Sequence, residues 1–294
     1  MEAQQENVKA FAGYRLWRRR DGDIEHAADP AAISSASSLA ELFDDWKGSS
    51  ERWLFIVPHD DDACIGAGLL LQLAVKADVS VSVIITTDGS MGYCSIEQRD
   101  SIVAIRQKET VAGLRILGVD AVEWLGFPDC DLVRHQGRRA AASGTPFQIA
   151  GFSGLQNSYT CALRRIRPTR LFLPSANDLH PDHKIVYQEA LISVFHAEGA
   201  IWPELGAPLS SLPSIYEMAI YCAFPGPPHI KLEGSRESFR RKLDSIGAFR
   251  SQVQIGRIVE SVRAAGPLEY FREADLKFYS PEIYLPLFET PESR

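Results

Sequence analysis

At 294 residues, with 45% hydrophobic and 23% charged side chains, the chain has the composition of a globular protein of one large or two small domains. A net charge of −7, with basic runs at 15–20, 137–139 and 164–170 that carry no interleaved aromatics, excludes a general phosphate-backbone binder, so no nucleic-acid partner is expected. Five scattered cysteines without a C-x-x-C suit a reducing, cytoplasmic setting, and neither a signal peptide nor a membrane span is visible in the apolar pattern.

The first fifty residues read as peripheral: a flexible Ser/Ala-rich piece, then a short amphipathic helix at 38–47. Regular alternation starts at "RWLFIV" (52–57), an apolar run of strand length. An acidic cluster follows, and then "CIGAGLLLQLAVKA" (64–77), which has the length and composition of a helix. "VSVSVIITTD" (79–88) is a second strand entering a turn. The pattern over 95–119 predicts a helix with Ser95 as N-cap and Gly118 as C-cap. "AVEWLGF" (121–127) is a third strand. A polar loop follows, in which 137–148 is expected to lie over the mouth of a site. A helix stopped by Pro168 and a fourth strand, "RLFLPS" (170–175), come next. Beyond residue 200 the pattern predicts a strand at 216–224, helices near 235–250 and 255–274, and a last strand near 276–284.

Near-continuous apolar strands alternating with helices predict an α/β fold, a mostly parallel sheet covered by helices on both faces. The expected division is a peripheral segment (1–50), a catalytic core (51–200) and a C-terminal extension (201–294) that completes the same domain. The Pro-rich stretch 202–215 is a candidate interface for a homo-oligomer.

Two clusters fall at the carboxyl ends of predicted strands, where open α/β sheets bind ligands. The first is "HDDDA" (59–63) and the second "HPDH" (180–183). Alone, His59-x-x-Asp62 reads as a cap plus a surface charge, and Pro-Asp as an ordinary helix opener. Together they bring His59, Asp62, His180 and His183 toward one crevice. Three nitrogen or oxygen ligands with one position left for water is how a catalytic zinc site is built, although iron, cobalt or manganese suit the same donors. A spare aspartate is available as general base. In "TTDGSMGYC" (86–94), Asp88 is read as facing substrate. No G-x-G-x-x-G follows the first strand, which argues against a dinucleotide cofactor.

At these residues the sequence resembles the LmbE-like, or PIG-L-type, zinc-dependent de-N-acetylases, over roughly 52–195 and at "KLDSIGAFRSQ" (242–252). The resemblance implies a Rossmann-like sheet, zinc on His59, Asp62 and His183, Asp61 as general base, and His180 as oxyanion stabiliser or proton donor. It implies a substrate contact for Arg106, in an R-x-x-E with Glu109, and a sugar-hydroxyl contact for Asp129. The first motif departs from His-Pro-Asp-Asp-Glu: Asp60 stands for the proline and Ala63 for the glutamate. Asp178 stands where some members carry a carbonyl-polarising tyrosine.

The expected activity is metal-dependent removal of an acetyl or other acyl group from a small N-acylated amino sugar. Two alternatives remain at this stage, an amidase for a larger conjugate and a sugar-binding module that has lost catalysis.

Overall fold

The computed structural model describes residues 13–20, 33–145, 147–274, 276 and 278–285. The reading that no signal peptide is present rests in part on residues 1–12, which lie outside them. In chain order the elements are β1 (Arg15–Arg19), β2 (Ile33–Ala36), α1 (Leu39–Leu42), β3 (Arg52–Val57), α2 (Asp62–Lys76), β4 (Ser80–Thr87) and α3 (Ile102–Leu117). There follow β5 (Val122–Phe127), β6 (Arg139–Ala140), β7 (Phe152–Ser153), α4 (Leu155–Ile166), β8 (Arg170–Pro174) and α5 (Pro181–Glu198). The last are β9 (Ser214–Met218), β10 (Ile230–Glu233), α6 (Arg236–Ile246), α7 (Ile255–Ala265) and β11 (Leu268–Glu273).

The apolar run of β3 is buried on both sides, as a strand between two helical layers must be. Trp53, Phe55 and Val57 enter one core with Leu70 of α2, Leu114 of α3 and Ile246 of α6. Leu54 and Ile56, pointing the other way, enter a second core with Tyr159 and Leu163 of α4 and Val186 and Ala190 of α5. Successive strand residues alternate faces, so five consecutive residues serve two cores.

The main sheet has the order β2-β1-β10-β11-β9-β8-β3-β4-β5. Strands β9, β8, β3, β4 and β5 are parallel. Strands β11, β10, β1 and β2 extend it through antiparallel pairings. The chain winds from β3 out to β5, then returns to β8 on the other side of β3 and continues to β9. The order therefore reverses between β3 and β8, and the loops leaving those strands open on one crevice. They are the two polar clusters of the sequence.

Several boundaries differ from expectation. The helix predicted from Ser95 begins at Ile102, and only a short 3₁₀ turn forms at Ile96–Gln98. The run Glu97-Gln98-Arg99-Asp100 offers no apolar face to pack, so helix length is gained only from Ile102 onward. Gly118 does cap α3, with φ 88°. The strand predicted to reach residue 224 ends at Met218. The helix expected to run to residue 274 stops at Ala265, where Gly266 (φ 86°) precedes Pro267. Gly-Pro cannot continue a helix, and the next six residues become β11. No strand forms among the described residues of 276–284; Pro281–Tyr284 is a 3₁₀ turn.

Helix α2 is broken at Ala67 (φ −141°, ψ 21°). The break frees the amides of Leu69 and Leu70, which donate to Glu269 of β11 at 2.7 and 2.9 Å. Lys242 of α6 holds that carboxylate at 2.6 Å. A buried carboxylate thus acts as an internal N-cap and sets the direction of the preceding turn, which carries Asp62.

Candidate metal and catalytic centre

After β3 the turn His59–Asp61 leads into α2, whose first residue is Asp62. Asp62 Oδ2 accepts the His59 backbone N–H at 2.8 Å, which folds the carboxylate back toward the imidazole. Across the crevice His180 is the N-cap of α5 and Pro181 its first helical residue, a position where the missing N–H costs nothing. The next turn carries His183, fully buried, under the loop from β8.

Nδ1 of His59 lies 3.3 Å from Nε2 of His183 and 3.4 Å from Oδ2 of Asp62. Nε2 of His183 lies 3.4 Å from Oδ1 of Asp62. Ligand atoms about 2.0–2.1 Å from a tetrahedral zinc stand about 3.3–3.4 Å from one another. Asp62 Oδ1 is buried with no hydrogen-bond donor, a costly state that a cation relieves. The three side chains fit a divalent metal ion. The ring of His180 also packs on His59, at 4.6 Å between centroids, and its nitrogen comes within ligand range of the two other imidazoles.

Each metal-facing imidazole turns its second nitrogen to a carboxylate. His59 Nε2 is 3.3 Å from Asp129 Oδ1 and 3.5 Å from Asp182 Oδ2. His183 Nδ1 is 3.3 Å from Asp178 Oδ2. Such partners set the tautomer and make the ligand nitrogen more basic. Asp178→Asn is therefore expected to weaken metal affinity about 10–100-fold, measured by competition with a chelating dye. Unchanged affinity would show that His183 needs no acceptor there.

Burial, and next the charge of Asp62, push the Asp61 carboxyl up from its ordinary value, which makes it a better base. Burial opposes ionisation of Asp62, yet His183 and His59 hold it below the usual carboxylate range. Burial, then the charges of His59 and His183, push His180 down and keep it neutral. Its Nδ1 accepts the Asp182 N–H at 3.2 Å, so its proton sits on Nε2.

The other predicted contacts also make hydrogen bonds and ion pairs within the protein. Asp88 Oδ1 accepts the amides of Ser90 and Asp129, tying together the loops after β4 and β5. Besides its contact with His59, Asp129 accepts the Met91 amide through Oδ2. Arg106 is buried, its Nε 3.1 Å from Asp60 Oδ2 and its Nη2 3.5 Å from Asp61 Oδ1. Glu109 of the R-x-x-E accepts the amide and hydroxyl of Ser251, each at 2.7 Å. Residue-level reading missed Asp182 and Asp178 as histidine partners, although both stand within or beside the second motif. It also missed Tyr221, from the loop after β9, whose ring lies 5.2 Å from that of His183. Only the fold brings that loop there; along the chain Tyr221 reads as part of the strand predicted at 216–224.

Residues 54–194 match the family model described as "PIG-L: GlcNAc-PI de-N-acetylase". Over 214 residues the chain is 26% identical to a probable N-acetyl-alpha-D-glucosaminyl L-malate deacetylase 2 of Bacillus cereus, covering 69% of this chain and 85% of that one. It is 28% identical over 150 residues to the diacetylchitobiose deacetylase of Thermococcus kodakarensis, covering 50% of this chain and 48% of the relative. The fold is that of the N,N'-diacetylchitobiose deacetylase structure from Pyrococcus horikoshii (TM-score 0.61, 24% identity, 82% of this chain and 87% of that chain). Among the described residues no helix is long and apolar enough to cross a membrane. With both motifs converging at the switch point of such a sheet, residues 54–194 carry a domain that matches the PIG-L (LmbE-like) de-N-acetylases.

Proposed function

We propose that the protein is a zinc-dependent hydrolase that removes an N-acetyl or related acyl group from an amino sugar. The observation that carries this reading is the convergence of His59, Asp62 and His183, whose nitrogen and carboxylate oxygen atoms come within 3.4 Å of one another, with Asp61 spare beside them. A divalent ion held by those three residues supplies Lewis acidity to the acyl carbonyl and acidifies the attacking water. Asp61, whose affinity for protons is raised, takes the proton from that water and passes it to the departing amine. His180 donates its Nε2–H to the oxygen that gains charge as the carbonyl becomes tetrahedral. Taking up a second proton on Nδ1 would cost His180 its bond from Asp182, which favours the hydrogen-bonding role over that of proton donor. Asp129, Asp182 and Asp178 keep the two ligand imidazoles in the orientation the metal requires.

The test is metal analysis of the purified chain joined to amine release from a panel of N-acetylated sugars. About one zinc per chain is expected, with release abolished by chelation and restored by zinc. Absence of binding after reconstitution would overturn the reading. Metal without release from small acetamides, but with release from larger N-acyl conjugates, would select the amidase alternative.

A further inference from the structure

We propose that the crevice at the ends of β3 and β8 selects N-acyl amino sugars carrying no carboxylate or phosphate, because Asp60 and the 88–94 loop withdraw Arg106 from substrate. The inference rests on the deacetylase reading above. Arg106 is only 4% exposed, and its guanidinium faces Asp60 and Asp61. Asp60 is held firmly: its Oδ1 accepts from Thr110 Oγ1 and from Trp124 Nε1, both at 3.0 Å. It therefore cannot swing aside to release the cation.

The loop closes over the pair from above. A Cβ added to Gly89 would stand 2.4 Å from Asp60 Oδ2, and one added to Gly92 would stand 1.9 Å from Arg106 Nη1. The backbone of both glycines thus lies directly on the ion pair, which explains why the loop after β4 carries glycine at these positions. Gln252 pins the loop by donating to the Gly92 carbonyl at 2.8 Å.

Even with a divalent ion bound, the six carboxylates of Asp60, Asp61, Asp62, Asp129, Asp178 and Asp182 outnumber the positive charges of that ion and Arg106. A carboxylate or phosphate on substrate would meet like charge where water screens poorly, and would find its natural partner already taken.

The experiment compares amine release by the metal-loaded protein from methyl N-acetylglucosaminide and from the same sugar bearing a 6-phosphate. We expect kcat/KM to favour the neutral sugar by about tenfold or more, chiefly through KM. Asp60→Asn removes the charge nearest the guanidinium and should reduce that preference by about tenfold, through a lower KM for the phosphorylated sugar. Equal or better turnover of the phosphorylated sugar by the unaltered chain would overturn the proposal and leave the deacetylase reading standing. A preference unchanged in Asp60→Asn would overturn the assignment to Asp60. Release from neither sugar by metal-loaded protein would remove the deacetylase reading, and this proposal with it. The first comparison needs no variant, so it decides even if Asp60→Asn fails to fold.

Discussion

Asp61→Asn is expected to lower kcat by about 10²–10⁴-fold, the usual contribution of a positioned general base, while the protein still holds about one metal ion. Asparagine keeps the size of the side chain and can still accept a hydrogen bond, but it cannot take a proton from water. The metal should stay because Asp61 contributes none of the close atoms, which come from the three residues His59, Asp62 and His183. Arg106 keeps Asp60 as its nearer partner, at 3.1 Å against 3.5 Å for Asp61, so the local fold should survive. The KM of a neutral substrate should change far less than kcat, because proton transfer matters in the transition state and little in binding. Full activity in Asp61→Asn, measured with metal content in the same sample, would move the base to another residue.

His183→Ala should remove the metal and, with it, at least about a thousandfold in rate, since a Lewis-acidic ion contributes several kcal/mol to such a transition state. The loss differs from that in Asp61→Asn because metal content falls together with turnover. A pH signature accompanies it. In the metal-free chain, burial disfavours charge on His183, but Asp62 and Asp178 outweigh that and lift its pKa to about 9. Below about pH 9 a metal must displace this proton, so apparent affinity should fall as pH falls. The metal-free fold shows the reverse trend. A histidine with a raised folded pKa stabilises fully below its ordinary value near 6.5, and that contribution is lost as pH rises through about 9. Thermal melts of the metal-free protein should therefore decline over pH 6.5–9, and His183→Ala should flatten the decline. An unchanged slope in the variant would mean that His183 is not charged in the metal-free state.

Much of the centre was legible along the chain because its chemistry is local. A strand made of "RWLFIV" must be covered on both faces, and four ionisable residues after it need a counter-charge. The second motif places two histidines three apart at a helix start, which Pro181 and the His180 cap define without help from the rest of the fold. Local turn chemistry also marked Gly118 as the end of α3. The Gly266-Pro267 stop after α7 was equally local and was missed because the apolar pattern on either side of it resembled one long helix.

Other features depend on residues far apart in sequence. The break in α2 at Ala67 is invisible locally, because the carboxylate that satisfies the freed amides comes from Glu269, about two hundred positions away. For Arg106 the family resemblance implied a contact with substrate. Only the packing of Gly89 and Gly92 over it, with Asp60 pinned by Thr110 and Trp124, turns that cation inward. Asp129 and Asp182 likewise become partners of one imidazole through the sheet order, which sets the ends of β3, β5 and β8 around a single crevice. The sequence by itself determined which residue types could hold a metal and move a proton, because those are properties of side chains and short spacings. The tertiary structure decided which of these groups remain available to substrate, because burial and pairing arise only when distant segments close on one another.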